Sequence, residues 1–197
     1  QREAAQRRQA EHARDEATAT AEFLTELLAA PAPEVQGREV KVVELLQTAA
    51  QRAQSAPDLS VETRAGLLLT IGRSQLALNR FRAADDTLGQ AYALATPAAG
   101  IAAPIALRIG LALAQVRTRR EHYAEAEAVL QALGADARWQ ADRTATAQIA
   151  IVHSGWWQQQ GKLEQALAAL APALDPGLTL PRASRIEALA ALAQIRF

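Results

Sequence analysis

Histidine is the side chain that enzymes use most often to transfer protons, so the three histidines of this 197-residue chain are the first candidates for chemistry. His12 and Glu16 lie one helical turn apart and could share a metal ion, but two ligands on one exposed helix make a weak site. His122 lies at a turn, and His153 precedes Ser154 with no acidic residue nearby to complete a triad. Cysteine is absent, which excludes thiol nucleophiles and thiolate metal sites. The sequence predicts no catalytic, metal-binding or cofactor-binding residue.

A second candidate is the segment from Gly155 to Lys162, which superficially resembles a phosphate-binding loop. Five residues separate its glycines where a phosphate loop has four, and Leu163 replaces the serine or threonine that would hold magnesium. The segment also coincides with a helix–helix turn of the repeats described below. Protein-kinase motifs are missing as well, since the chain has no His-Arg-Asp, no Asp-Phe-Gly and no glycine-rich loop. We therefore expect no enzyme activity in this stretch of chain.

Composition predicts that helices position these residues. Half of the residues are apolar but only 4% are aromatic, and much of the apolar content is alanine and leucine, which have high helix propensity. Charge is balanced, with 21 basic and 21 acidic residues, so no overall field attracts nucleic acid or anionic membrane. No apolar run approaches the roughly 20 residues that a membrane-spanning helix needs. The expected fold class is all-α, and nucleic acid is not an expected partner.

Three segments share one order of large, small and turn residues, and this recurrence is the main signal. Their turns lead into Phe81, Tyr123 and Leu163, which are 42 and 40 residues apart. The matching positions are Leu68, Ile71, Gly72, Ala84, Leu88 and Ala91 in the first, Leu113, Ala114, Ala126, Leu130 and Leu133 in the second, and Ser154, Trp157, Ala166, Leu170 and Ala173 in the third. A pair of antiparallel helices cannot bury its apolar faces alone, so we expect neighbouring pairs to stack.

The pattern also divides the chain. Residues 1–30 are predicted to form one long stalk helix, whose seam is Ala10, Ala13, Ala17, Thr20, Leu24 and Leu27 and which Pro31 and Pro33 end. Residues 31–59 are predicted to hold a connecting helix that starts after Gly37, stops near Ser55-Ala56-Pro57 and buries Val42, Leu45, Leu46, Ala49 and Ala53. Residues 60–197 are predicted to hold the repeats, at about 65–98, 107–140 and 147–180, with Ser60 as the first N-cap. A further first helix is expected from about Arg182, where Leu192-Ala193 matches Ile71-Gly72.

Adjacent tryptophans distinguish the third segment. Trp157 falls where the repeat favours a large ring, so we expect it in the core. Trp156 lies one position farther around the helix, and its burial is less well defined by the pattern. Tryptophan is enriched at binding hot spots, yet core packing is the favoured interpretation for both rings.

The repeats resemble the tetratricopeptide (TPR) family, over residues 60–197. That family has Gly or Ala on the first helix, an aromatic residue after the turn and two alanines on the second helix. The first segment matches at Gly72, Phe81, Ala84 and Ala91. The later segments depart from the motif at Leu133 and Arg117, and their linkers are longer. The resemblance implies a right-handed α-solenoid of antiparallel helix pairs that binds a protein or peptide along its concave face.

The same resemblance implies which residues line that concave groove. They are Leu69, Arg73 and Leu76 in the first segment, Arg108, Leu111, Gln115 and Arg119 in the second, and Gln148, Ile151, Gln158 and Gln159 in the third. Arginine pairs with carboxylates through two hydrogen bonds, so an acidic peptide or a C-terminus would suit the groove. A solvated row of charges is the open alternative. The Lys/Asn clamp of chaperone-binding TPRs is missing, which disfavours a chaperone tail as the ligand.

Residues 1–95 carry a second resemblance, to the region that follows the catalytic domain in bacterial Hanks-type serine/threonine kinases with TPR tails. The similarity lies in the order of Ala21-Glu22-Phe23-Leu24, Gly37-Arg38-Glu39-Val40, Glu44-Leu45-Leu46, Arg64-Ala65-Gly66-Leu67-Leu68 and Ile71-Gly72-Arg73. It implies a sensor or docking module on the periplasmic side of the inner membrane, within a single-pass kinase. A cytoplasmic TPR scaffold, or the effector-binding arm of a transcription regulator, is the alternative.

The ends of the chain also predict its context. The sequence lacks Met and both Gln1 and Phe197 fall within predicted helices, so we interpret it as a fragment of a larger protein. The alanine seam of the stalk could pack on the repeats or on a second copy, which makes a homodimer through this helix one expectation.

Overall fold

The computed structural model describes residues 38–57, 59–95 and 101–196 of the chain. All regular secondary structure within these ranges is helical, which confirms the all-α prediction. The helices are α1 (Arg38–Ser55), α2 (Val61–Ala77), α3 (Phe81–Leu94), α4 (Ala103–Arg119), α5 (Tyr123–Ala135), α6 (Arg143–Gln159), α7 (Leu163–Leu170) and α8 (Arg182–Arg196), with a short 3₁₀ turn at Ala171–Leu174 after α7. The predicted stalk helix, its seam and the His12–Glu16 pair lie outside the described residues.

Two compact units divide the chain, Gln1–Ile101 and Ala102–Phe197. The first unit contains α1 packed on α2, and α2 packed on α3. The second unit contains α4 to α8, and its central helix, α6, contacts α4, α5, α7 and α8. Each unit is built on helix hairpins, that is, two helices joined by a three-residue turn and packed along each other.

The three hairpin turns have the same backbone conformation. Asn79, Glu121 and Gly161 occupy equivalent positions and all have positive φ, at 57°, 62° and 72°. The next amide donates to the carbonyl five residues earlier, from Arg80 to Gln75, from His122 to Arg117 and from Lys162 to Trp157, over 2.8, 2.9 and 3.1 Å. Each positive-φ amide also donates to the carbonyl three residues earlier. These two bonds define a Schellman motif, which ends a helix and reverses the chain.

Each hairpin buries a small residue of its first helix and a leucine of its second helix at equivalent repeat positions. Gly72, Ala114 and Ser154 hold the small position and are buried, as are the leucines of the second helices, Leu88, Leu130 and Leu170. Helices α2 and α3 approach closely at this point, where a Cβ added to Gly72 would lie 2.6 Å from Leu88 Cγ. In the first hairpin, the recurring small residue and leucine of the repeat are therefore in direct contact.

A second pair of positions exchanges a large and a small residue between the first two hairpins, whereas the third has Ala150 and Ala173 there. A Cβ at Gly110 would lie 2.8 Å from Cδ2 of Leu133. The equivalent pair in the first hairpin is Leu68 with Ala91, and all four residues are buried. A leucine on either helix is thus matched by a small residue on the other, as close packing requires. Leu133, which departs from the TPR motif, is accommodated because the opposing residue is glycine.

The prediction for the start of α2 is confirmed, whereas part of the prediction for α1 is wrong. Ser60 caps α2 as predicted, its Oγ accepting from the amide of Thr63 over 3.1 Å. Ala49 and Ala53 of α1 are buried, also as predicted. The expectation that Val42 and Leu45 are buried is wrong, since Val42 is 46% exposed and Leu45 36%. Among the described residues only α2 packs substantially on α1, and it covers the later turns of that helix.

The connection from α5 to α6 has its own small core. Trp139 is buried and donates from Nε1 to the carbonyl of Leu133. Arg138 lies 4.5 Å above the Trp139 ring and pairs with Asp136 at 2.7 Å. That hydrogen-bonded guanidinium holds the pKa of Asp136 below its usual range. Asp142 then caps α6 by accepting from the amides of residues 144 and 145, so this longer linker is ordered by specific contacts.

Glutamate is an uncommon residue for positive φ, so the turn at Glu121 carries a backbone cost that glycine would remove. We expect Glu121→Gly to raise the free energy of unfolding by about 0.5–1 kcal/mol. Urea denaturation followed by circular dichroism measures this change. Gly161→Ala is the matched control, because a Cβ there would meet nothing within 4 Å and the change should destabilise through φ alone. Equal effects of the two substitutions would contradict the shared turn geometry.

Candidate functional site

The eleven residues that the sequence assigns to a groove fall in both units. Leu69, Arg73 and Leu76 belong to α2 in the first unit, and the other eight belong to α4 and α6 in the second. Leu69 and Ile151 are buried, so both side chains contribute to packing. Ile151 belongs to the apolar cluster that α6, α7 and α8 share. Arg73 is exposed and Leu76 half-buried.

Two of the glutamines predicted for the groove join α6 to α8. Gln148 donates from Nε2 to Oγ of Ser184 over 3.3 Å. Gln158 donates from Nε2 to the carbonyl of Ala191, also over 3.3 Å. Both glutamines are half-buried, whereas Gln159 is exposed. The amides at 148 and 158 are therefore partly used in holding neighbouring first helices together.

Helix α4 presents the most open set of predicted residues. Arg108, Gln115 and Arg119 are exposed, and Leu111 between them is half-buried. Their spacing of three and four residues places them along one side of the helix. Arg117 lies elsewhere on α4 and is engaged, with Nε 3.6 Å from the Glu125 carboxylate.

The repeat register identifies the residues of α6 and α8 that are equivalent to those on this side of α4. Positions equivalent to Gln115 are Gly155 and Gln194, and Gln159 is equivalent to Arg119. Position 108 corresponds to Gln148 and to Glu187. A Cβ at Gly155 would meet nothing within 4 Å, so the backbone of α6 is open at the centre of this row. We call Arg108, Gln115, Arg119, Gly155 and Gln159 the polar strip. Gly155 was not among the predicted groove residues, although the same register could have identified it.

The aromatic residues of α6 form a separate cluster, and here the expectation for Trp157 is wrong. Trp156 is the core residue, 4% exposed, and donates from Nε1 to the carbonyl of Tyr123 over 2.9 Å. Trp157 is only half-buried and has Nζ of Lys162 4.8 Å from its ring centre. The order is reversed because position 156 faces α5 of the preceding hairpin, whereas position 157 lies beside the turn into α7.

His153 packs against both of these rings. Its ring centre lies 5.5 Å from that of Trp156 and 5.9 Å from that of Trp157. Burial lowers the pKa of His153, and the charge of Glu127 partly opposes that shift. The equivalent positions hold Ile71 and Leu113, so this histidine replaces an apolar packing residue. Its ring contacts with two tryptophans and its place in the repeat therefore indicate a packing role.

The other candidates for chemistry that lie within the described residues have structural roles. Gly155 lies within α6 and Gly161 is the positive-φ residue of the turn, so the segment that resembles a phosphate loop is a helix end. Within the described ranges, no three His, Asp or Glu side chains come close enough to hold a metal ion. None of the described helices is both long and apolar enough to cross a membrane.

Comparison with family models, with curated proteins and with solved structures found no match to this chain.

Protonation of His153 should destabilise the fold. Because its pKa is lowered on folding, the unfolded chain binds more protons below about pH 6.5, the ordinary histidine value. The stabilising contribution of neutral His153 is therefore fully present above that pH, and the free energy of unfolding falls as the pH drops below it. We expect His153→Leu, which restores the repeat residue, to reduce the loss of stability between pH 7.5 and pH 5.5. Urea midpoints of the two proteins at both pH values measure this, and parallel losses would contradict the assignment.

Proposed function

We propose that this chain is a non-catalytic module that binds a protein or peptide, built as a TPR-like right-handed solenoid of antiparallel helix pairs. The observation that carries the proposal is the polar strip on α4, where Arg108 and Arg119 are exposed beside Gln115. Three hairpins with one turn geometry and one packing rule support the TPR-like arrangement, in which first helices line the concave side. The buried small residues support it as well, since they are the positions the motif specifies.

The spacing of the two arginines indicates what the strip would bind. They are eleven residues apart on one helix, which corresponds to about 16 Å along its axis. An extended peptide covers that distance in about five residues. Each guanidinium can hold a carboxylate through two hydrogen bonds. We therefore propose an acidic peptide with carboxylates about four or five residues apart as the ligand, with the amides beside them contacting its backbone.

The larger context that we propose is a bacterial membrane-anchored Hanks-type serine/threonine kinase, in which this chain is the periplasmic sensor region. The order of sequence features over residues 1–95 supports it. Ligand binding would change the pairing of the stalk helix or the curvature of the repeats, and so shift the kinase between association states. A parent gene with no kinase domain encoded before Gln1 would refute this context.

The alternative that we retain is a cytoplasmic TPR scaffold or the effector-binding arm of a transcription regulator. It uses the same peptide-binding strip and differs in what the parent gene encodes. A nucleotide-binding or DNA-binding domain beside this region would favour the regulator, whereas an apolar span before Gln1 would favour the receptor.

Binding of acidic peptides tests the proposed function directly. We expect peptides with two glutamates four or five residues apart to bind the chain, and the same peptides with glutamines not to bind, as measured by fluorescence anisotropy at low salt. Arg108→Gln and Arg119→Gln should each weaken binding roughly threefold to tenfold, and added salt should weaken it further. Arg185→Gln is the control, since that exposed arginine lies on α8 outside the polar strip. An equal loss with Arg185→Gln, or no binding at millimolar peptide, would refute the assignment.

A further inference from the structure

Two glycines in the first helices of the hairpins have no reason in packing. Glycine destabilises the interior of a helix relative to alanine, so its presence there needs an explanation. Packing explains Gly72 and Gly110, because a Cβ at these positions would lie 2.6 and 2.8 Å from a leucine of the second helix. It does not explain Gly66 of α2 or Gly155 of α6, where a Cβ would meet nothing within 4 Å.

Both of these open glycines fall on the side of a first helix that carries the polar strip. In the repeat register Gly66 is equivalent to Arg108, and Gly155 is equivalent to Gln115. Besides tight packing and positive φ, glycine is used where a ligand approaches the backbone closely. Gly155 belongs to the polar strip itself, so a bound ligand there could reach the backbone of α6.

The surface around Gly155 has an apolar floor and an amide rim. Its neighbours three and four residues away on the helix are Ile151 and Val152 before it and Gln158 and Gln159 after it. Ile151 and Val152 are each 8% exposed, whereas Gln159 is exposed at the surface. We call the surface formed by Gly155 and these four residues the Gly155 notch. A side chain that enters it would meet aliphatic groups beneath and amides beside it, which suits an apolar side chain.

The Gly155 notch lies between the two arginines of the polar strip. Helices α4 and α6 are in contact, and in the proposed solenoid their equivalent positions are level. Gly155 is then level with Gln115, which follows Arg108 by seven residues and precedes Arg119 by four. These separations correspond to about 10 and 6 Å along the helix axis. In an extended peptide the first, third and fifth side chains point to one face, and the third lies about 7 Å from each of the others.

We propose that the Gly155 notch receives an aromatic side chain that the acidic ligand carries midway between its two carboxylates. The ligand class is thereby narrowed to extended segments of the form Glu-x-Phe-x-Glu, in which the carboxylates bind Arg108 and Arg119. Half-buried Leu111, which lies between Arg108 and Gln115 on α4, adds an apolar contact from the other side. This inference rests on the proposed function, because the polar strip must first hold the peptide.

Three labelled peptides with identical flanking residues test the inference by fluorescence anisotropy on the full chain. Their central segments are Glu-Ala-Phe-Ala-Glu, Glu-Ala-Ala-Ala-Glu and Glu-Phe-Ala-Ala-Glu. We expect the first to bind about fivefold to tenfold more tightly than the second, because the notch removes its ring from water. The third has the composition of the first, but its ring points to the opposite face of an extended peptide, so it should bind like the second.

Gly155→Gln fills the notch with the side chain found at the equivalent Gln115 and Gln194. It should abolish the advantage of the first peptide and leave the affinity for the second unchanged within about twofold. Gly89→Gln is the matched control, since Gly89 lies within α3, a second helix, and a Cβ there would also meet nothing within 4 Å. Both substitutions should raise the urea midpoint, but Gly89→Gln should leave the binding of all three peptides unchanged.

The possible failures separate this inference from the proposed function. Equal binding of the three peptides to the natural chain would overturn the notch and leave the polar strip intact. A preference for the first peptide that survives Gly155→Gln would overturn it as well, because the ring would then bind elsewhere. Failure of all three peptides to bind would instead refute the polar strip, and the notch together with it.

Discussion

This structure depends on the close packing of two helices at positions where one of them has a small residue. A leucine of the second helix is seated against the backbone of the first, where glycine, alanine or serine leaves room for it. Between α2 and α3 not even a methyl group fits without movement, because it would lie 2.6 Å from Leu88 Cγ. The contact buries leucine fully and gives each hairpin its dispersion and hydrophobic stabilisation. Because the fit is a matter of volume, leucine and glycine can exchange sides, as Gly110 and Leu133 show.

The surfaces available for function follow from this packing. Helix α6 uses one side for its own second helix and another for the preceding hairpin of the second unit, as Trp156 does in bonding to Tyr123. What remains is a narrow side, on which Arg108, Gln115 and Arg119 lie in the second unit.

Repeated features were predictable from the sequence because they reappear at a fixed spacing. The all-α class, the hairpin turns, the small residues at 72, 114 and 154 and the Ser60 cap all follow from patterns that local chemistry determines. The positive φ at Glu121 was not predictable from that residue, since glutamate rarely adopts it; only its equivalence to Asn79 and Gly161 could have indicated it.

Predictions about single side chains failed where burial depends on which neighbour is present. Trp156 and Trp157 differ by one position on a helix, and the sequence does not specify which of them faces α5. Val42 was expected in the core because its spacing on α1 is amphipathic, yet no described element covers it. Leu69 and Ile151 were transferred from a family groove, but both are buried. The sequence accordingly predicted which side of the helix carries the candidate site, but it did not predict every residue of that site.

A double-mutant cycle at Gly72 and Leu88 tests the central packing claim most directly. In the natural background Gly72→Ala should lower the free energy of unfolding by about 1–3 kcal/mol, since the new methyl group collides with Leu88. In a Leu88→Ala background the same substitution should raise stability by about 1 kcal/mol, because alanine favours the helix and the obstacle is gone. A Gly72→Ala effect of the same sign and size in both backgrounds would contradict the account.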